Sequence, residues 1–243
     1  MNIKKHIPNC ITLLNLFCGC IAIAFAFQKD FELAFLFVSL GIFLDFFDGF
    51  FARLFQVSSP LGLQLDSLAD MVTSGVAPGV VMFFMFSNTL KNQEISIENT
   101  SIWVCFLGFI ITMASCYRLA NFNIDTRQTD SFIGLPTPAN ALFILSLPLI
   151  LKNSDSLIVL ELLTNPWVLV VITLLSAYIL NAEIPLFSLK IKKFNFKDNL
   201  LQISFLSISL ILLLFFQYLG IALVILMYVL LSVLNNKLSK KQA

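Results

Sequence analysis

Charged side chains make up 12% of this 243-residue chain, yet four of its nine aspartates fall inside one apolar stretch of 26 residues: Asp45, Asp48, Asp66 and Asp70. The first pair reads Phe43-Leu44-Asp45-Phe46-Phe47-Asp48-Gly49-Phe50-Phe51. An aspartate at the middle of a bilayer helix costs about 2.5–3.5 kcal/mol, so four on neighbouring segments call for a compensating cation or water. Asp45 and Asp48 are three residues apart and Asp66 and Asp70 four apart, so each pair shares one helix face. With a turn near Val57, Ser58, Ser59 and Pro60, an antiparallel hairpin sets Asp48 opposite Asp66 and Asp45 opposite Asp70. At about 1.5 Å per residue the cluster lies roughly 13–20 Å below that turn.

Four facing carboxylates cannot all stay ionised without cations. An all-oxygen set suits Mg²⁺, Mn²⁺ or Ca²⁺ rather than zinc, and two ions could share the four groups, as in two-metal phosphate chemistry. Between the pairs, Gly49, Ala52 and Gly62 are small enough to admit a bulky phosphate ligand to the backbone, and Arg53 offers a guanidinium fork for phosphate oxygens. Helix packing and a snorkelling arginine explain Gly49, Ala52 and Arg53 singly. They leave four intramembrane aspartates unexplained.

The elements that hold these residues are read from hydropathy. Hydrophobic residues are 58% of the chain, mean hydropathy is +0.92, and 26 Phe stand against 4 Tyr and 2 Trp. Soluble domains carry about 25% charged residues, so a soluble globular enzyme, a disordered chain and a disulfide-stapled secreted domain are all excluded. Cys18, Cys20, Cys105 and Cys116 sit in apolar runs and read as small packing residues. His6, beside Lys4 and Lys5, is assigned no role. The net charge of +1 gives no sign of nucleic-acid binding.

A spanning helix needs about 20 mostly apolar residues. Eight runs qualify as candidates, at 10–27, 31–55, 61–87, 101–121, 137–151, 166–182, 200–215 and 217–235, the fifth being short and ending at Pro148 and Lys152. The expected fold class is an all-α polytopic membrane protein. With the N-terminus cytoplasmic, 12 of the 15 basic residues fall on inside segments and only Lys29, Lys91 and Lys152 outside. The positive-inside rule then places both termini in the cytoplasm. Residues 1–182 form a catalytic core, 183–199 a basic cytoplasmic connection, and 200–243 a final helix pair with its tail.

The spaced set Asp45-x2-Asp48-Gly49-x2-Ala52-Arg53-x8-Gly62-x3-Asp66-x3-Asp70 resembles the full signature of the CDP-alcohol phosphatidyltransferases, with every fixed position present. Further segments resemble the phosphatidylserine synthase subfamily: Pro8-Asn9-x2-Thr12-x2-Asn15-x3-Gly19, Asp66 to Val72 followed by Gly75 to Pro78, Tyr117 to Asn123, Phe132 to Ala139, and Ile184 to Ser188. Two positions depart from that pattern. Asn121 stands where the family often has a basic residue, and Ser74 where it often has an aromatic one.

The resemblance implies a membrane enzyme of about six core helices that transfers a phosphatidyl group from CDP-diacylglycerol to the L-serine hydroxyl and releases CMP. It implies divalent metal, Mg²⁺ or Mn²⁺, on Asp45, Asp48, Asp66 and Asp70, with Asp70 also acting as general base. Arg53, Gly49, Ala52 and Gly62 would meet the CDP-diacylglycerol diphosphate, and Thr12 and Asn15 its cytidine end. Arg118 would pair with the serine carboxylate, and the loop through Gly134, Pro136 and Thr137 would shape that pocket. A homodimer is suggested by the resemblance alone, and membrane lipids surround the helices. Two other readings stand beside this one: a sibling enzyme using glycerol 3-phosphate, inositol phosphate or choline, and a transporter that binds cations within the membrane.

Overall fold

In a bilayer the backbone finds no water to hydrogen-bond, so apolar runs resolve into helices. The computed structural model describes residues 6–57, 59–92, 100–125, 132–188 and 199–242. The topology-setting Lys4, Lys5, Arg127 and the lysines between 189 and 198 lie outside the described residues. So does most of the expected 183–199 connection.

The elements are α1 (Ile7–Phe27), α2 (Phe31–Leu54), α3 (Pro60–Asp70), a π-helical segment (Met71–Val76), α4 (Ala77–Asn92), α5 (Thr100–Cys105), a 3₁₀ turn (Phe106–Phe109), α6 (Ile110–Ile124), α7 (Thr137–Asn153), α8 (Leu157–Leu163), α9 (Pro166–Asn181) and α10 (Leu200–Gln242). Their starts follow from short polar caps. Asp30 accepts from Leu33 N at 3.1 Å and Ser59 from Gly62 N at 3.0 Å, which closes the α2–α3 turn where the sequence places it.

The fold is the expected all-α membrane architecture, and all eight expected runs fall on helical segments. The count of eight crossings is not reproduced by length and apolarity. Among the described residues five helices are long and apolar enough to cross alone, or six if α8 and α9, bent by 72°, form one broken span. The runs 61–87 and 101–121 each contain a change of helix type rather than one regular helix.

The runs 200–215 and 217–235 form one hydrogen-bonded element interrupted at Gln217 (φ 47°, ψ −116°). The chain folds back there: Phe205 and Tyr228 bring their ring centroids to 5.5 Å, whereas 23 residues of straight helix span about 35 Å. Gly220 permits the close return, because a Cβ on it would lie 2.8 Å from the carbonyl carbon of Leu212. The fifth run also differs from expectation. Pro148 does not end it, and α7 continues to Asn153 with Leu145 to Ile150 buried. Packing on several sides offsets the hydrogen bond that proline removes.

Helices α1 and α2 form the most intimate pair, and the π-helical segment lies against α1, α3, α4, α6 and α7. One apolar core gathers Met82, Phe86, Ile111, Ile144 and Leu169 between α4, α6, α7 and α9. A second gathers Ala22, Ala34, Val38, Val81 and Leu145 between α1, α2, α4 and α7. At the far end of the bundle Lys152 donates to Glu32 at 2.8 Å, tying α7 to α2. These cores lie away from the aspartates and hold the helices that carry them.

Candidate active site

The three helix ends that meet at the α2–α3 turn carry the polar cluster. Carboxylate oxygens of Asp45, Asp48 and Asp66 all lie within 4.8 Å of one another. Oδ1 of Asp45 is buried with no hydrogen-bond partner. Three carboxylates on two helices, with a lone pair left free in an apolar setting, fit a divalent cation held by oxygen. Asp70 lies outside that tight trio, with its charge acting on Asp45. It sits one turn deeper, buried, and accepts from Asn15 Nδ2 at 3.2 Å.

Helix α1 buttresses the cluster. Thr12 Oγ1 lies 2.5 Å from Asp48 Oδ2 and 3.1 Å from the Pro8 carbonyl. A hydroxyl has one proton to give, and the shorter distance and the charge direct it to Asp48. A cleft of about 200 Å³ opens beside these groups, lined by Pro8, Thr12, Asp48, Gly49, Ala52 and Gly62, among others. Thr12, Gly49, Ala52 and Gly62 thus share one concavity with two of the aspartates. Asn15 lies below it, against Asp70. Arg53 is exposed at the rim, with its guanidinium over Gly49.

The π-helical segment begins immediately after Asp70. Such segments are rare and occur at functional positions. Its wider turn directs Thr73, Ser74 and Gly75 all inward. Hydroxyls pin it on two sides: Thr73 donates to the Asn15 carbonyl at 3.1 Å, and Thr112 donates to the Gly75 carbonyl at 3.0 Å. Nearby, Asn123 Nδ2 donates to Ser67 Oγ at 2.9 Å, joining α6 to α3.

Arg118 is buried at 7% exposure, with its charge acting on Asp70 and its guanidinium carbon 6.0 Å from the Phe122 ring centre. Its Nε and Nη2 have no partner. Neither have the hydroxyls of Ser74, Ser115 and Thr137, all buried. Ser115 and Arg118 share a face of α6, and a Cβ on Gly75 would lie 3.2 Å from Ser115 Cβ. Buried polar groups are almost always paired. Four such residues stand on three mutually packed elements, the π-helical segment, α6 and α7.

The loop before α7 is held by backbone hydrogen bonds to the segment that follows α9 and to the last turn of that helix. Gly134 (φ 74°) donates to the Ile184 carbonyl and Leu135 to the Ile179 carbonyl, each at 3.0 Å, and Leu186 donates back to Phe132 at 2.8 Å. Glycine is required at 134, since a Cβ there would lie 2.5 Å from the Leu180 carbonyl oxygen. Gly134 and Pro136 serve as backbone, while Thr137 presents a side chain. Ser74 and Ser115 did not emerge from the sequence reading. Ser74 registered only as a departure from the family pattern, and a lone serine in an apolar helix carries no signal of its own.

A profile of the CDP-alcohol phosphatidyltransferase family matches residues 5–179. The chain belongs to that family. It is similar to proteins named CDP-diacylglycerol–serine O-phosphatidyltransferase from several organisms. The Bacillus subtilis protein is 37% identical over 138 residues, 55% of this chain and 70% of the relative. The Helicobacter pylori J99 protein is 35% identical over 139 residues, 56% and 54% of the two chains. The Saccharomyces cerevisiae protein is 32% identical over 158 residues, 58% and 53%. The match thus spans about half the length of the latter two. The family match encloses all four aspartates, Arg53 and Arg118.

Proposed function

We propose that this protein is a phosphatidylserine synthase, transferring the phosphatidyl group of CDP-diacylglycerol to the hydroxyl of L-serine with release of CMP. The observation that carries the reading is the juxtaposition of an acidic, all-oxygen cluster with Arg118, whose Nε and Nη2 are unpaired and whose charge acts on Asp70. An enzyme for a zwitterionic hydroxy acid needs both, and the names of the relatives agree.

The reaction moves a phosphoryl centre from one oxygen to another, so positioning and charge neutralisation dominate. Asp45, Asp48 and Asp66 would hold Mg²⁺ or Mn²⁺, with Asp70 able to share a second ion. Divalent metal supplies neutralisation of the diphosphate and of the departing CMP. Thr12 fixes one oxygen of Asp48 and so orients that carboxylate for ligation. The small residues Gly49, Ala52 and Gly62 allow the liponucleotide to approach the backbone, with Arg53 reaching its diphosphate from the rim.

Arg118 would take the serine carboxylate, with Thr137, Ser74 and Ser115 satisfying the remaining polar atoms of the amino acid. Asp70, held by Asn15 and facing Arg118, accepts the proton of the serine hydroxyl as that oxygen attacks phosphorus. The acyl chains stay in the lipid between helices, in the cytoplasmic membrane, with both termini on the cytoplasmic side and the chain working as a homodimer.

The deciding assay follows CMP release and lipid product mass from CDP-diacylglycerol in detergent, with Mg²⁺ or Mn²⁺ and with EDTA. Serine, glycerol 3-phosphate, inositol phosphate and choline are offered separately. Product with serine alone, lost with EDTA and in Asp70→Asn, is expected. Turnover with another acceptor would keep the family chemistry and overturn serine. Silence with every acceptor in folded protein would favour a cation-binding role.

A further inference from the structure

Beyond residue 179, where the family match ends, the segment Ile184-Pro185-Leu186-Phe187-Ser188 runs between the loop before α7 and helix α10. Its backbone is hydrogen-bonded on both sides. Towards the loop, the Ile184 carbonyl accepts from Gly134 N at 3.0 Å and Leu186 N donates to the Phe132 carbonyl at 2.8 Å, with Ile133 and Pro185 in an antiparallel bridge. Towards α10, Tyr228 Oη donates to the Phe187 carbonyl at 3.0 Å and Asn236 Nδ2 to the Pro185 carbonyl at 2.6 Å. Ser232 Oγ accepts from Phe187 N at 3.4 Å. Gln202, on the limb of α10 before Gln217, donates to the Ser188 carbonyl at 3.2 Å.

Tyr228, Ser232 and Asn236 follow one another at four-residue intervals, so they form one polar stripe on a largely apolar helix. An irregular segment in a helical membrane protein leaves amides and carbonyls that no helix satisfies, and each needs a partner. The stripe supplies such partners to Pro185 and Phe187. The rings agree with this arrangement. Phe187 lies between Phe205 and Tyr228, with centroids 5.5 and 4.9 Å away, so both limbs of α10 close on it. Leu186 and Phe187 are buried there.

We propose that α10 is part of the acceptor site: Tyr228, Ser232 and Asn236 are positioning residues that hold the loop 132–137, and with it Thr137, through the 184–188 segment. The inference rests on the reading of that loop as part of the serine pocket. Leu135 is tied to α9 directly, at the Ile179 carbonyl, whereas Phe132 and Gly134 are tied to the segment whose far side belongs to α10. Gly134 stands three residues before Thr137, whose buried hydroxyl has no partner. A shift of Gly134 therefore carries over to that hydroxyl. Helix α10 packs on α7, and the aspartates lie on α2 and α3, so its effect falls on the acceptor rather than on the nucleotide lipid.

The test uses the full chain in detergent, as the parent protein, as a Tyr228→Phe, Asn236→Leu double variant and as Leu230→Ala. Leu230 is exposed on the opposite face of the same helix and controls for a general loosening of α10. Hydrogen exchange at the Gly134 and Leu186 amides is followed by mass spectrometry, because it reports local opening. KM is measured separately for serine and for CDP-diacylglycerol. In the double variant both amides are expected to exchange about ten-fold faster, and KM for serine to rise about ten-fold with KM for CDP-diacylglycerol unchanged. Leu230→Ala is expected to match the parent protein in every readout.

Exchange equal to that of the parent protein overturns the proposal. Faster exchange with an unchanged KM for serine overturns it as well, and so does an equal rise in both KM values. If the double variant does not fold, Tyr228→Phe alone keeps the ring between Phe187 and Phe205 and removes one oxygen. It is then expected to raise KM for serine about three-fold, with the same results overturning the proposal. A parent protein that turns over a different acceptor overturns the serine assignment alone. Exchange at Gly134 and KM for that acceptor then decide the role of α10.

Discussion

Thr12 on the first helix and Asp48 on the second are joined by a hydroxyl-to-carboxylate hydrogen bond of 2.5 Å. It occupies one oxygen of a residue whose neighbours are two further carboxylates, and so sets how that carboxylate would meet a bound cation. Groups that orient a ligating carboxylate typically matter by about 10- to 100-fold in metal affinity or activity. Thr12→Val is expected to raise the Mg²⁺ or Mn²⁺ concentration giving half-maximal activity within that range, and Thr12→Ser to restore it. A loss of thermal stability with unchanged metal dependence would mean that the contact only packs α1.

Asn15 donates to Asp70 at 3.2 Å. With Asn15→Leu, Asp70 keeps its place but loses its orienting donor. The expected result is a fall of about 10-fold or more in kcat, because a base must lie within hydrogen-bond reach of the proton it takes, with KM for CDP-diacylglycerol little changed. An equal rise in that KM with unchanged kcat would assign Asn15 to the nucleotide instead.

Arg118 holds two unpaired guanidinium nitrogens in a buried setting. A hydrogen bond to a charged partner contributes about 1.5–3 kcal/mol, equivalent to about 10- to 100-fold in affinity. Arg118→Lys is expected to raise KM for serine by about that factor, since an ammonium cannot reproduce a two-point contact with a carboxylate. Ser115→Ala, one turn away, should raise it less. Steady-state kinetics with each substrate varied separately would expose a general loss of fold as a change in both KM values.

Gly134 adopts a positive φ with the Leu180 carbonyl close by. Gly134→Ala would add backbone strain of about 1–2 kcal/mol and displace the 180–184 segment. A lower melting temperature in detergent is expected, together with a raised KM for serine. A melting curve matching the parent protein would show that the loop yields without strain.

Composition and spacing carried a large part of this molecule. Apolar runs fixed where helices form, because backbone groups in a bilayer have no other way to be satisfied. Three- and four-residue spacings put Asp45, Asp48, Asp66 and Asp70 on inward faces, because helical periodicity is local. Ser59 and Pro60 marked the turn that brings the two faces together. All of this follows from neighbours in the chain, so it was legible without a fold.

What depended on distant contacts was not legible. The π-helical segment after Asp70 is held by its own Thr73 hydroxyl donating to the Asn15 carbonyl of α1 and by the Thr112 hydroxyl of α6, and no local pattern encodes it. Asp70, just before it, meets Asn15 of α1 as well as the Asp45 charge. The same packing buries Ser74 and Ser115 without partners beside Arg118. The fold-back at Gln217 closes Phe205 and Tyr228 on Phe187, a contact that neither limb of α10 specifies alone. Sequence determined which groups could bind metal and phosphate, through residue type and helical phase. Tertiary structure decided which of them meet, because burial and the pairing of polar atoms are properties of several segments packed at once.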